Sequence, residues 1–132
     1  MPVVKRLPHR LGIVIPSRDR RGRPLAAALR REIDKAVSGW FTTNFGGETA
    51  ERIGRRDRLL GRFQVAPGQV VVEAVKELWA QCTAREFVMN RPRLVRLAEW
   101  VCQRGDQVVV AIFLDVEMQL VEAPKRAVPR PT

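Results

Sequence analysis

The sequence predicts an α+β domain of β-α-β-β-α-β order, a ferredoxin-like four-stranded antiparallel sheet with two helices on one face. Three observations lead there. Alternating apolar runs open and close the chain, at 11–15 and 108–120. Two stretches of helical spacing lie between them. Between those helices, two apolar runs flank "APGQ" at 66–69, a turn sequence.

The first strand places Leu11, Ile13 and Ile15 on one face, and Pro16 stops it. "SRDRRGR" follows as a polar turn. Pro24 suits a first helical position, and Leu25, Leu29, Ile33, Val37 and Trp40 form an apolar stripe, so a helix is expected over 24–42. Asn44 and Gly46 accept the backbone angles of a helix end, which makes Gly46, Gly47 and Thr49 a structural turn. The polar segment 48–58 reads as a loop. "RLLGRFQV" and "VVVEAVKELWAQC" then read as paired strands, because three consecutive valines favour β structure. Thr83 and Glu86 fit a capping box opening a second helix. Its inward side chains would be Leu94, Val95, Leu97, Ala98, Val101 and Cys102, with Pro92 dividing it and Gly105 ending it. The last strand alternates from Val108 to Leu120. Its second face turns from apolar (Val109, Ala111, Phe113) to polar (Asp115, Glu117, Gln119). Residues 1–10 form a basic arm, 11–122 the domain, and 123–132 a Pro-rich basic tail whose composition marks it as disordered.

At 132 residues the chain can bury a core without staples. The formal charge is +10, unevenly spread: residues 1–35 carry ten Lys/Arg against three acids, whereas 63–123 carry six against eight. A basic half of this kind attracts nucleic acid, DNA or RNA, or an acidic protein partner. Cys82 and Cys102 stand twenty apart with a single histidine, so no zinc set forms, and no cofactor or metal is expected. Both read as buried thiols of a reducing cytoplasm. No apolar run approaches a membrane span, and no cleavage site follows the N-terminal basic segment. The apolar start of the last strand's second face suggests a second copy against the sheet, a homo-oligomer and most simply a dimer.

Pro16, Ser17, Arg18, Asp19 and Gly22, followed by Phe45, Gly46, Gly47 and Thr49 and then Glu73 within a strand, resemble a family of small uncharacterised bacterial proteins. Its pattern is P-S-R-D-x-x-G, a helix, F-G-G-x-T, G-x-W and an acidic residue in a strand. The resemblance covers about residues 11–75. It departs at Gly61-Arg62-Phe63, where the family has G-x-W, and at the arginine-rich stretch before Gly61. It implies a compact α+β fold and brings no activity.

The glycine pair follows a helix C-terminus, where carbonyls point outward, so it is not a phosphate cradle. The aromatic signature of an RNA-recognition domain is missing, and the chain has no tyrosine. What remains is backbone-charge binding through Arg52, Arg55, Arg56, Arg58 and Arg62, joined by Arg18, Arg20, Arg21 and Arg23 of the first loop. The favoured function is thus a non-enzymatic binding or accessory protein. Enzymatic alternatives are a metal-dependent nuclease, for which Asp19, Glu73, Asp115 and Glu117 are the available carboxylates, or a small-molecule enzyme of dimeric α+β barrel type. In the nuclease reading Asp115 and Glu117 share one strand face. A third reading is a structural oligomer.

Overall fold

The computed structural model describes residues 6–45 and 52–132, with backbone alone for 57–66, 71 and 72. Seven elements follow in order: β1 (His9–Ile15), α1 (Ala27–Phe45), β2 (Ile53–Ala66), β3 (Gln69–Cys82), α2 (Ala84–Arg104), β4 (Val109–Leu114) and β5 (Glu117–Glu122). The strands form one antiparallel sheet in the order β2-β3-β1-β4-β5. The sheet therefore has five strands where four were expected.

Strand parity builds the core. Leu11, Ile13 and Ile15 of β1 lie opposite Ala80, Leu78 and Lys76 of β3, and Leu11 and Ile13 also face Leu114 and Ile112 of β4. These apolar side chains join Ile33, Val37, Phe41 and Phe45 of α1 and Leu94, Leu97, Ala98 and Val101 of α2 in one buried cluster. Both helices thus cover the same sheet face, and the stripe spacing of each supplies its contacts.

The expected long last strand is a hairpin. Asp115, at φ 58°, and Val116 make a two-residue turn between Leu114 and Glu117. Asp115 consequently sits in a turn and shares no strand face with Glu117. The turn is tied to β1: the Asp115 amide donates to the Arg10 carbonyl at 2.7 Å, and its carboxylate accepts from the Arg10 amide at 2.9 Å. His9, placed in β1 rather than in a free arm, lies 3.0 Å from the same carboxylate and stacks on Phe87. Some burial raises the Asp115 carboxyl, but the Arg10 amide and the His9 ring outweigh it and hold it below the usual aspartate range.

Three further expectations are corrected. β2 begins at Ile53, inside the segment read as loop, because its backbone pairs with β3 from Ile53↔Ala80 onward whatever the side-chain polarity. α1 starts at Ala27, three residues after Pro24, since the chain from Arg18 to Pro24 closes on itself as a bridge. α2 runs unbroken through Pro92. The proline leaves the Val88 carbonyl without its helical donor, but Val88 and Pro92 are exposed and water can take its place. The residues after β5 are laid along α2, although their composition alone offers no partner. The Gln103 side chain donates to the Pro124 and Arg126 carbonyls and accepts from the Val128 amide at 2.8 Å.

The Thr83–Glu86 capping box is formed in both directions, at 2.9 and 3.1 Å. Thr83→Ala removes one of them and is expected to cost about 1 kcal/mol, read as a fall of roughly 4 °C in melting temperature. No helix among the described residues is long and apolar enough to cross a membrane.

Candidate functional site

Where β1 ends at Ile15, Pro16 stops the ladder and the chain turns into a loop that Asp19 closes. The Asp19 carboxylate accepts from the amides of Arg21 (2.9 Å) and Arg23 (3.0 Å) and from the Arg23 guanidinium (3.0 Å). Slight burial raises this carboxyl, yet the Arg23 and Arg21 amides and the Arg23 side chain win and hold it below the ordinary value. Gly22, at φ 78°, lets the loop reverse and donates to the Asp19 carbonyl. Asp19 is thereby committed to its own loop.

The loop is fixed from outside by Glu73 of β3, which is 4% exposed. Its Oε2 accepts from the Ser17 amide (2.8 Å), the Arg18 amide (2.7 Å) and the Ser17 hydroxyl (3.2 Å). A buried carboxylate holding two backbone amides is a strong, directional clamp. A second pin comes from Gln107, just before β4, whose side-chain amide donates to the Arg18 carbonyl at 2.6 Å.

Beside this clamp opens a cavity of about 520 Å³ between the first loop, the start of α1 and β3. Ser17 and Arg18 form one wall, so Glu73 sets the position of the wall from behind. Arg30 and Arg31 of α1 and Lys76 of β3 make the cavity basic. Asp34 is its acid, and it is taken up by Arg55 at 3.2 Å and Lys76 at 3.7 Å. The volume of the cavity falls within the range of small-molecule sites. Its positive side suits a carboxylate or phosphate, which guanidinium groups bind in planar pairs.

The carboxylates proposed as a nuclease centre do not gather. Asp19 closes the first loop and Glu73 of β3 clamps that loop from outside, Asp115 sits in the β4–β5 turn, and Glu117 is exposed at the start of β5. Among the described residues no three metal-ligating side chains meet. The arginines expected to face a polyanion are largely engaged within the chain. Arg52 is buried and grips Glu86 through Nη2 at 2.7 and 2.8 Å. Arg55 bonds Asp34 and Ser38, Arg18 the Gly22 carbonyl, Arg20 Asp106, and Arg23 Asp19. Arg56 is exposed near the Trp79 ring, and Arg21 is exposed. Arg58 and Arg62 lie on β2 where backbone alone is described, and Gly46, Gly47 and Thr49 lie outside the described residues. Both thiols are buried, which pushes Cys82 up to about 12, raises Cys102 and disfavours the reactive thiolate.

Sequence reasoning flagged Glu73, Ser17 and Arg18 but missed Arg30, Arg31, Asp34, Lys76 and Gln107. The available signal was the polar face of α1, which carries Arg30, Arg31 and Asp34 within a single turn and a half.

No protein-family model matches the sequence, and no curated protein matches it significantly. Two solved structures do resemble the fold. A phage SAM lyase in complex with S-methyl-5′-thioadenosine superimposes with a TM-score of 0.61 at 10% identity, over 96% of this chain and 100% of that one. A phage SAM lyase in the apo state gives a TM-score of 0.53 at 13% identity with the same coverage. At these identities the likeness is one of fold.

Proposed function

We propose that the chain is a small-molecule enzyme on a ferredoxin-like core, its fifth strand added outside β4, and that it cleaves the sulfonium of S-adenosylmethionine (SAM) as a lyase. The observation that carries this reading is the superposition of nearly the whole chain on a SAM lyase bound to S-methyl-5′-thioadenosine. The basic cavity beside the Glu73 clamp supports it with a volume in the range of small-ligand sites. Arg30 and Arg31 would take the carboxylate of the amino-acid arm, leaving the nucleoside toward the Ser17–Arg18 wall.

The chemistry asks little of the protein. S-methyl-5′-thioadenosine departs with the electron pair of the broken C–S bond. Among the described residues the cavity offers no unengaged base: Asp34 is paired with two cations, and Glu73 is held by three donors. Closure of the four-carbon fragment on its own carboxylate needs none, because the new O–C bond forms as C–S breaks and no proton moves. Orientation is then the main contribution of the site, through guanidinium groups on the carboxylate and a rigid wall against the nucleoside.

Incubating the purified chain with SAM and following products by chromatography tests this. S-methyl-5′-thioadenosine should appear in step with SAM loss, far above the spontaneous rate. SAM that decays only at the spontaneous rate would overturn the assignment.

A further inference from the structure

A second basic cavity, of about 490 Å³, lies between α2 and the residues that follow β5, and it shares no lining residue with the Ser17–Glu73 site. Arg93 and Arg96 reach it from α2, three residues apart and so on one helix face. Arg126 and Arg130 reach it from the tail, which the Gln103 side chain holds at three backbone positions. Trp40, 3% exposed, closes the floor.

Charge in this cavity is unbalanced. Glu99 is its one acidic side chain, and Arg126 stands 3.9 Å from it. Arg93 has a neutral partner, the Asn44 side-chain oxygen at 3.3 Å. Among the described residues Arg96 and Arg130 form no salt bridge. Guanidinium groups converging from two segments on one concavity repel one another, and a low-dielectric wall concentrates their field. An anion with several oxygens relieves that repulsion and satisfies the planar donor pairs. The tail walls off one side, and the volume suits a compact anion.

We propose that this cavity is a binding site for the diphosphate group of a small ligand, with Arg93 and Arg96 as the fixed half and Arg126 and Arg130 as the half delivered by the tail. Because the tail supplies two of the four donors, binding also fastens it to α2.

Calorimetric titration of the full chain with sodium pyrophosphate at physiological ionic strength tests the assignment. Saturable binding is expected. Arg96→Gln and Arg130→Gln should each weaken it about tenfold, the loss of one charge-assisted contact. Arg85→Gln, the same charge change on an exposed residue outside the cavity, should weaken it less than about twofold, as a screened long-range effect. Absent saturation, or equal weakening by all three variants, would overturn the proposal. A parallel titration with ADP separates the sources of the diphosphate: tighter binding than pyrophosphate identifies a nucleotide, and equal affinity identifies diphosphate alone.

Discussion

Glu73→Ala is expected to disorder the first loop and, with it, to slow turnover of SAM. The substitution strands the Ser17 and Arg18 amides beneath the cavity wall, together with the Ser17 hydroxyl, in a site where Glu73 is 4% exposed. Leaving two part-buried amides without an acceptor costs about 3 kcal/mol, which is roughly 10 °C of melting temperature. Displacing the wall by about an ångström would lower the rate on the order of 10²-fold. Stability and positioning separate in Glu73→Gln. Its carbonyl oxygen still accepts, so most of the melting temperature should return. Its neutral oxygen holds the three donors more weakly than a carboxylate does, so kcat should remain depressed by at least about tenfold. If Glu73→Gln restored kcat in full while SAM cleavage stood, Glu73 would be a purely structural residue. Thermal melts and product chromatography on the same two variants decide it.

Arg52→Ala should be among the most destabilising single changes that leave the cavity untouched. The Arg52 side chain is 7% exposed and forks onto both oxygens of Glu86, while its Nε reaches the Gln81 carbonyl at 3.3 Å. Removing one partner leaves a poorly solvated carboxylate, at a cost of about 3 kcal/mol. A melting temperature unchanged within a degree would show the pair to be energetically idle. The same pair predicts an acid limb in stability. Burial raises the Glu86 carboxyl, but hydrogen bonds from Arg52 and Thr83 outweigh it and hold it below its ordinary value of 4.5. A carboxylate with a depressed folded pKa gives its full stabilisation above that ordinary value and loses it as pH falls through the lower, folded one. Urea unfolding between pH 6 and 3 should therefore show a loss below about pH 4.5 that is smaller in Glu86→Gln. An acid limb of the same size in Glu86→Gln would assign it to other carboxylates.

Much of this molecule was legible in one dimension because its signals are local. Turn chemistry at Pro67-Gly68, with Gly68 at φ 76°, and the capping box at Thr83 and Glu86 need only neighbours three residues away. The core stripes of α1 and α2 need only a period, so β1, both helices and the β2–β3 hairpin could be read before any packing was known. The β4–β5 hairpin shows where periodicity stops informing. A two-residue turn leaves the apolar alternation of Val116, Met118 and Leu120 intact in sequence, so the pattern of a hairpin equals that of one long strand. In space the hairpin reverses the faces: Val110, Ile112 and Leu114 enter the core, whereas Met118 and Leu120 stay more than half exposed.

Charge was the least legible property. Composition counts arginines and says nothing of their partners, and it was distance in space that committed Arg52 to Glu86, 34 positions away, and Arg55 to Asp34, 21 away. The same holds for the site. Sequence placed Ser17 and Arg18 after a strand and Glu73 within another. It took the antiparallel pairing of β1 with β3, Ile15 opposite Lys76, to bring that carboxylate under the loop and Lys76 beside Asp34. Sequence by itself determined β1, both helices and the β2–β3 hairpin, because each depends on short-range steric and hydrogen-bonding rules. Tertiary structure alone decided which charges are spent internally and which line a cavity, because Coulomb partners are chosen by proximity across the sheet and not by order along the chain.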